Sequence, residues 1–141
     1  MNWARMRMKE REPNTLSSNM YRNQLEQLQK EKAKLEGDLA AERTHLAKFQ
    51  KEASGLQTDI AKTKSESTRK SKQRQLLSKQ DQIAKTQKKI GEIEKKIAAK
   101  IGAINQKTKS LTSAEESESK KRHEAELRHL EDVNAEIEQQ I

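Results

Sequence analysis

Two short stretches, Glu42-Arg-Thr-His45 and Glu126-Leu-Arg-His129, each set a carboxylate three residues ahead of an imidazole. On a helix that spacing puts both groups on one face, the arrangement with which helical bundles hold paired iron or manganese ions. Such a site also needs a glutamate from each of two further helices, all turned inward. Glu42 falls in line with an apolar row, but Glu126 and His129 flank Leu127 on solvated positions. In a chain with 22 Asp and Glu, two such matches arise by chance. The metal reading is set aside, and no cofactor is expected. Other catalytic chemistry is missing from the letters too. There is no Gly-rich phosphate loop, nucleophile elbow or His-Glu-x-x-His. With no cysteine there is no thiolate nucleophile, disulfide or zinc–thiolate site. The chain reads as non-enzymatic.

The other chemistry on offer is cationic. In "DIAKTKSESTRKSKQRQLL", residues 59–77, the only apolar side chain between Ile60 and Leu76 is Ala61, and the rest is dominated by Lys, Arg, Ser and Thr. Lys64, Arg69, Lys70, Lys72 and Arg74, with the pairs Lys88-Lys89 and Lys95-Lys96 further on, could track phosphates. Residues 61–109 hold fifteen basic groups against four acidic ones, whereas residues 110–141 hold four against nine. A basic segment followed by an acidic one can bind outside partners, or the two can bind each other. Nucleic-acid modules usually add aromatics for stacking, and residues 61–109 contain none. A lysine-rich solvated helix face is the favoured reading, and basic helical nucleic-acid binding is the alternative. The acidic end, with Glu115, Glu116, Glu118, Glu131 and Asp132, is expected to balance part of that charge.

What must position these groups is helix. Apolar residues make up 30% of the 141 positions and charged ones 37%, with only Trp3, Tyr21 and Phe49 as aromatics. An ordinary domain is about 45–50% apolar, so a large compact core is excluded and long helices with narrow seams remain. No apolar run approaches the roughly 18–20 residues of a membrane span, so no membrane partner is expected. "MNWARMRMKEREPNT" is basic but lacks an apolar stretch, so it is no secretory signal. With the absence of cysteine, this makes the cytoplasm the expected compartment.

Numbering a heptad from Leu25 as position a places Leu25, Lys32, Leu39, Leu46, Ala53 and Ile60 at a, and Leu28, Leu35, Glu42, Phe49, Leu56 and Thr63 at d. That alternation is the seam of a coiled coil. A second row, Leu76, Ile83, Ile90, Ile97, Ile104 and Leu111, recurs every seven residues. Its companion row, with Lys79, Thr86, Ile93, Lys100 and Lys107, is poor and needs a neighbouring helix to complete it. One residue after each a site come Ala33, Ala40, Ala47, Ser54 and Ala61, and in the second row Leu77, Ala84, Gly91 and Ala98. Since mid-helix Gly costs about 0.5–1 kcal/mol against Ala, Gly91 favours the close approach of another helix over the plain helix-forming role of alanine. A third row, Leu127, Leu130, Asn134, Ile137 and Ile141, is out of phase with the second. The S-x-x-E of Ser113 and Glu116, or the T-x-x-E of Thr112 and Glu115, spells a capping box. A break is therefore expected near residues 111–114.

The expected architecture is all-α. A flexible basic tail spans residues 1–17, a long antiparallel coiled-coil hairpin residues 18–112, and a third helix residues 113–141. The third helix stops in mid-pattern and reads as truncated. The hairpin arms run over about 18–64 and 72–112, with a solvated turn centred near residue 68. The hairpin is favoured over one unbroken rod, although the gap contains no Gly, Pro, Asn or Asp, the usual turn residues.

The stretch from Met20 to Lys100 resembles an N-terminal helical region of bacterial multidomain proteins, in a similarity that spans about residues 20–140, with "KTKSEST" and "KKIGEIEKKIAAK" its most recognisable phrases. In those proteins it precedes effector domains, notably Toll/interleukin-1 receptor (TIR) domains linked to NAD cleavage and antiviral defence. No TIR domain follows here, and "MNWARMRMKEREPNT" does not resemble the family's start. The resemblance implies an assembly or regulatory module with no catalytic residues to carry over. The seam rows would then hold copies of the chain together, with an attached or partner effector domain as the possible beneficiary.

Overall fold

The structure, a computed structural model, describes residues 17–140. The tail expected at residues 1–17 therefore lies outside the described residues except for Ser17, as does Ile141 of the third row. Two helices make up the described residues, α1 (Ser18–Lys62, 45 residues) and α2 (Glu66–Gln140, 75 residues). The chain forms two units, one from the residues up to Leu28 with those from Ala103 onward, the other from Gln29 to Gly102, and within each unit a stretch of one helix packs against a stretch of the other.

Helix is what this composition dictates. Its Pro lies at residue 13, outside both helices, and strong helix formers (Ala, Leu, Glu, Lys, Gln, Arg) fill the spans. Ser17 caps α1, its hydroxyl accepting the Met20 N–H at 3.3 Å. Hydroxyls inside the helices do not cap. Thr44, Thr58 and Thr86 donate back to the carbonyls of Ala40, Ser54 and Gln82 at 2.8–3.1 Å, so they join the helix.

In the unit of residues 29–102 the chain reverses over Thr63, Lys64 and Ser65, which overturns the unbroken rod. The turn is shorter and earlier than the one expected near residue 68, and residues 66–72 are helical rather than loop. Serine explains the difference. Ser65 is the cap of α2, its hydroxyl 3.4 Å from the Thr68 N–H, and Glu66 brings negative charge to the helix start. On the other side the Arg69 guanidinium donates to the Thr63 carbonyl at 2.8 Å, satisfying a carbonyl that the end of α1 leaves open. No described residue has positive φ, so the turn needs no glycine.

In the other unit the expected break near residues 111–114 is absent. Residues 113–140 continue α2, and no separate third helix exists among the described residues. The reason lies in the same hydroxyl chemistry. Thr108, Ser110 and Thr112 donate to the carbonyls of Ile104, Gln106 and Thr108 at 2.7–3.2 Å, so Thr112 sits inside the helix it was expected to start. The capping-box letters occur mid-helix, with no Gly or Pro between Ala103 and Gln140 to enforce a stop. The change of phase needs no break either, since an apolar stripe can move around one continuous helix.

Candidate functional site

The described residues present two facing rows of half-buried apolar side chains. Leu35, Leu39, Leu46, Phe49, Leu56 and Ile60 of α1 are half-buried in the unit of residues 29–102, as are Leu76, Ile83, Ile90 and Ile97 of α2. In the other unit Leu25, Leu28, Ile104 and Leu111 are half-buried as well. Ala53 is the buried apolar residue of the described chain, and no large side chain is fully buried. Thr86, from the companion row, is buried with its hydroxyl on Gln82. Leu127, Leu130 and Ile137 stand apart from the rest, 47%, 57% and 51% exposed, on a stretch from Ser119 to Gln140 that is exposed at every residue.

The companion row looked poor in the sequence because it was read without the helix opposite. Lys72, Lys79 and Lys100 are half-buried. Lys72 reaches the Asp59 carboxylate at 3.0 Å, Lys79 pairs with Glu52, and Lys100 pairs with Glu31. Each seven-residue step forward along α2 is matched by one backward along α1. The lysine stems therefore cover the seam while their ammonium groups end on carboxylates at its edge. Lys79 also lies over the Phe49 ring, 5.5 Å from its centroid. The hydrogen bond from Lys79, helped by that ammonium's charge, holds the Glu52 carboxyl below its ordinary range. A further bridge joins Arg43 to Glu94 at 3.6 Å. The signal for this edge was present in the sequence, as an acid row one residue before the a sites of α1 and a lysine row three residues after the Leu76 row of α2.

Three of the fifteen basic residues of 61–109 are thus met by carboxylates of α1. The expected balance by the acidic C-terminal stretch is not what the contacts describe. Glu115 pairs with Arg22 at 3.0 Å, and Glu118 takes both the Ser18 N–H at 3.0 Å and the Ser18 hydroxyl at 2.7 Å. Those two bonds, the backbone one first, lower the Glu118 carboxyl from its ordinary range. Lys107 lies 5.8 Å from the centroid of the Tyr21 ring in the same unit.

At the turn the structure divides the five predicted cations. Arg69 and Lys72 are half-buried and bound to Thr63 and Asp59. Lys64, Lys70 and Arg74 are exposed, as are Lys88, Lys89, Lys95 and Lys96. The close-packing reading of the small-residue row fails within the chain. Ala33, Ala40, Ala47 and Ala61 are exposed, and a Cβ added to Gly91 would meet nothing within 4 Å.

Among the metal candidates, His45 Nδ1 sits 3.7 Å from Glu42, while Glu126 and His129 line a shallow open groove with Ala125 and Leu130. Among the described residues, no group of three His, Cys, Asp or Glu side chains is gathered to hold a metal. No described helix is long and apolar enough to cross a membrane. No family model, curated protein or solved structure matches the chain.

Proposed function

We propose that this chain is a non-enzymatic coiled-coil scaffold that joins copies of itself, serving as the assembly region of a bacterial TIR-type, defence-related effector in the cytoplasm. The observation that carries the self-association is the state of the seam. The large apolar side chains of the two seam rows are covered only halfway, and no large side chain is fully buried. A second hairpin laid against the first would cover the remaining halves as a four-helix bundle does. The link to an effector rests on the resemblance of about residues 20–140 alone. Basic nucleic-acid binding is the second reading, and it is weakened because Arg69 and Lys72 are engaged within the chain.

Light scattering at moderate salt, free of nucleic acid, tests the proposal. The expected molar mass is at least twice the 16.2 kDa of one chain. Leu46→Asp combined with Ile90→Asp should dissociate the assembly and lower helicity. A wild-type mass of one chain at all concentrations refutes self-association.

A further inference from the structure

The exposed stripe at the end of α2 is an apolar face for which something must be found. Leu127, Leu130 and Ile137 recur at seam spacing while about half exposed, and the flanking charge restricts what can cover them. Between Glu124 and Glu138 lie six carboxylates against one arginine, Arg128, and Glu124, Glu131 and Glu138 form a heptad row along one edge of the stripe. A second copy of the stripe is a poor occupant. In a parallel pair Glu126 of one copy meets Glu131 of the other, and in an antiparallel pair the glutamate row meets itself. The fitting occupant is an apolar segment carrying positive charge.

We propose that this occupant is the chain's own N-terminal segment, residues 1–16. Its letters alternate the two required chemistries, with Ala4, Met6 and Met8 between Arg5, Arg7 and Lys9, Trp3 just before and Arg11 just after. Its attachment point is also right. Ser18, the first residue of α1, is held by two hydrogen bonds to Glu118, one residue before the fully exposed stretch begins. From Glu118 to Ile137 is about 28 Å of helix. Sixteen residues of chain reach up to about 50 Å, so the segment can run the length of the stripe. Apolar side chains then cover Leu127 and Leu130, and the arginines lie along the glutamate edge. None of this depends on the self-association proposed above.

The chain contains one tryptophan, Trp3, and its fluorescence reports the docking directly. In the intact chain Trp3 should emit to the blue of the urea-unfolded protein, and acrylamide should quench it several-fold more slowly. Leu127→Asp with Leu130→Asp, on positions already exposed, should return both signals to the unfolded values while leaving helicity in place. Leu77→Asp, at a residue 66% exposed elsewhere on α2, should leave both unchanged. Unfolded-like emission from the native wild type overturns the proposal, as does a shielded Trp3 indifferent to the Leu127 and Leu130 changes. Molar mass measured on the same samples separates the two proposals. A monomer with Trp3 shielded by the stripe upholds this inference and refutes self-association, and an oligomer with Trp3 exposed does the reverse.

Discussion

Replacing Gly91 by alanine asks whether the small-residue face of α2 is open or occupied in the protein at work. Gly91 lies in the interior of a 75-residue helix, and a Cβ built on it meets nothing within 4 Å. Alanine there removes the backbone freedom that glycine brings to the unfolded chain and adds no clash, so stability should rise by about 0.5–1 kcal/mol. For a chain of this size, about 4 °C accompanies each kcal/mol, so Tm should rise by about 2–4 °C. Gly37→Ala in α1, equally open, should add a similar increment, and the two should be additive because the sites share no partner. Thermal melts followed by circular dichroism at two protein concentrations, with molar mass measured alongside, provide the assay. A fall in Tm for Gly91→Ala, or a loss of mass, would mean that a helix of another copy presses on Gly91. The small-residue face would then be the assembly surface, and the seam-based reading of self-association would be wrong.

The ion pairs at the seam edge give a second test. Glu52→Lys should lower stability, and Glu52→Lys with Lys79→Glu should recover most of the loss, a small coupling because the pair remains about a third exposed. A third test uses pH. Glu52 and Glu118 are both lowered in the folded chain, so the stability they contribute is present above the unfolded glutamate range and is lost as pH falls through the folded values. Tm should hold between pH 7 and about 5 and fall in more acidic buffer. The Glu52→Gln and Ser18→Ala variants should each lose part of that dependence, and an acid profile identical to wild type in both would refute the assignment.

The seam rows were legible because seven-residue repetition is a property of the letters. Leu35, Leu46, Ile83 and Ile97 stand half-buried at positions that spacing alone picks out. The turn was foreseen in the polar gap but placed too late and too long because it was centred between the apolar rows, whereas three residues with negative φ need only a serine cap and an arginine to close the last carbonyl. The third helix was an error of a different kind. A capping box is a statement about hydrogen bonds, and its letters do not reveal whether Thr112 accepts from the helix start or donates one turn back. The lysines of the companion row were read as a defect because one helix was judged without its neighbour. The apolar rows were legible, and their edge chemistry was present in the sequence but needed both helices to be read together.

That edge chemistry does not by itself choose the register. In the observed pairing Asp59, Glu52 and Glu31 meet Lys72, Lys79 and Lys100. Sliding α2 by one heptad would offer Asp59 to Lys79, Asp38 to Lys100 and Glu31 to Lys107, again three oppositely charged pairs, and would set one seven-residue row against the other just as well. The slip differs at the turn. It would draw seven more residues into the loop, dissolving the first two turns of α2 along with the Ser65 cap and the Arg69 bond to Thr63. A cap is worth about 1 kcal/mol, and the helical residues from Glu66 onward would surrender their backbone hydrogen bonds as well. The small polar turn, and not the long charged seam, therefore decides which layers of the hairpin meet. The polar gap between Ile60 and Leu76 sets the alignment of every apolar row that self-association would use.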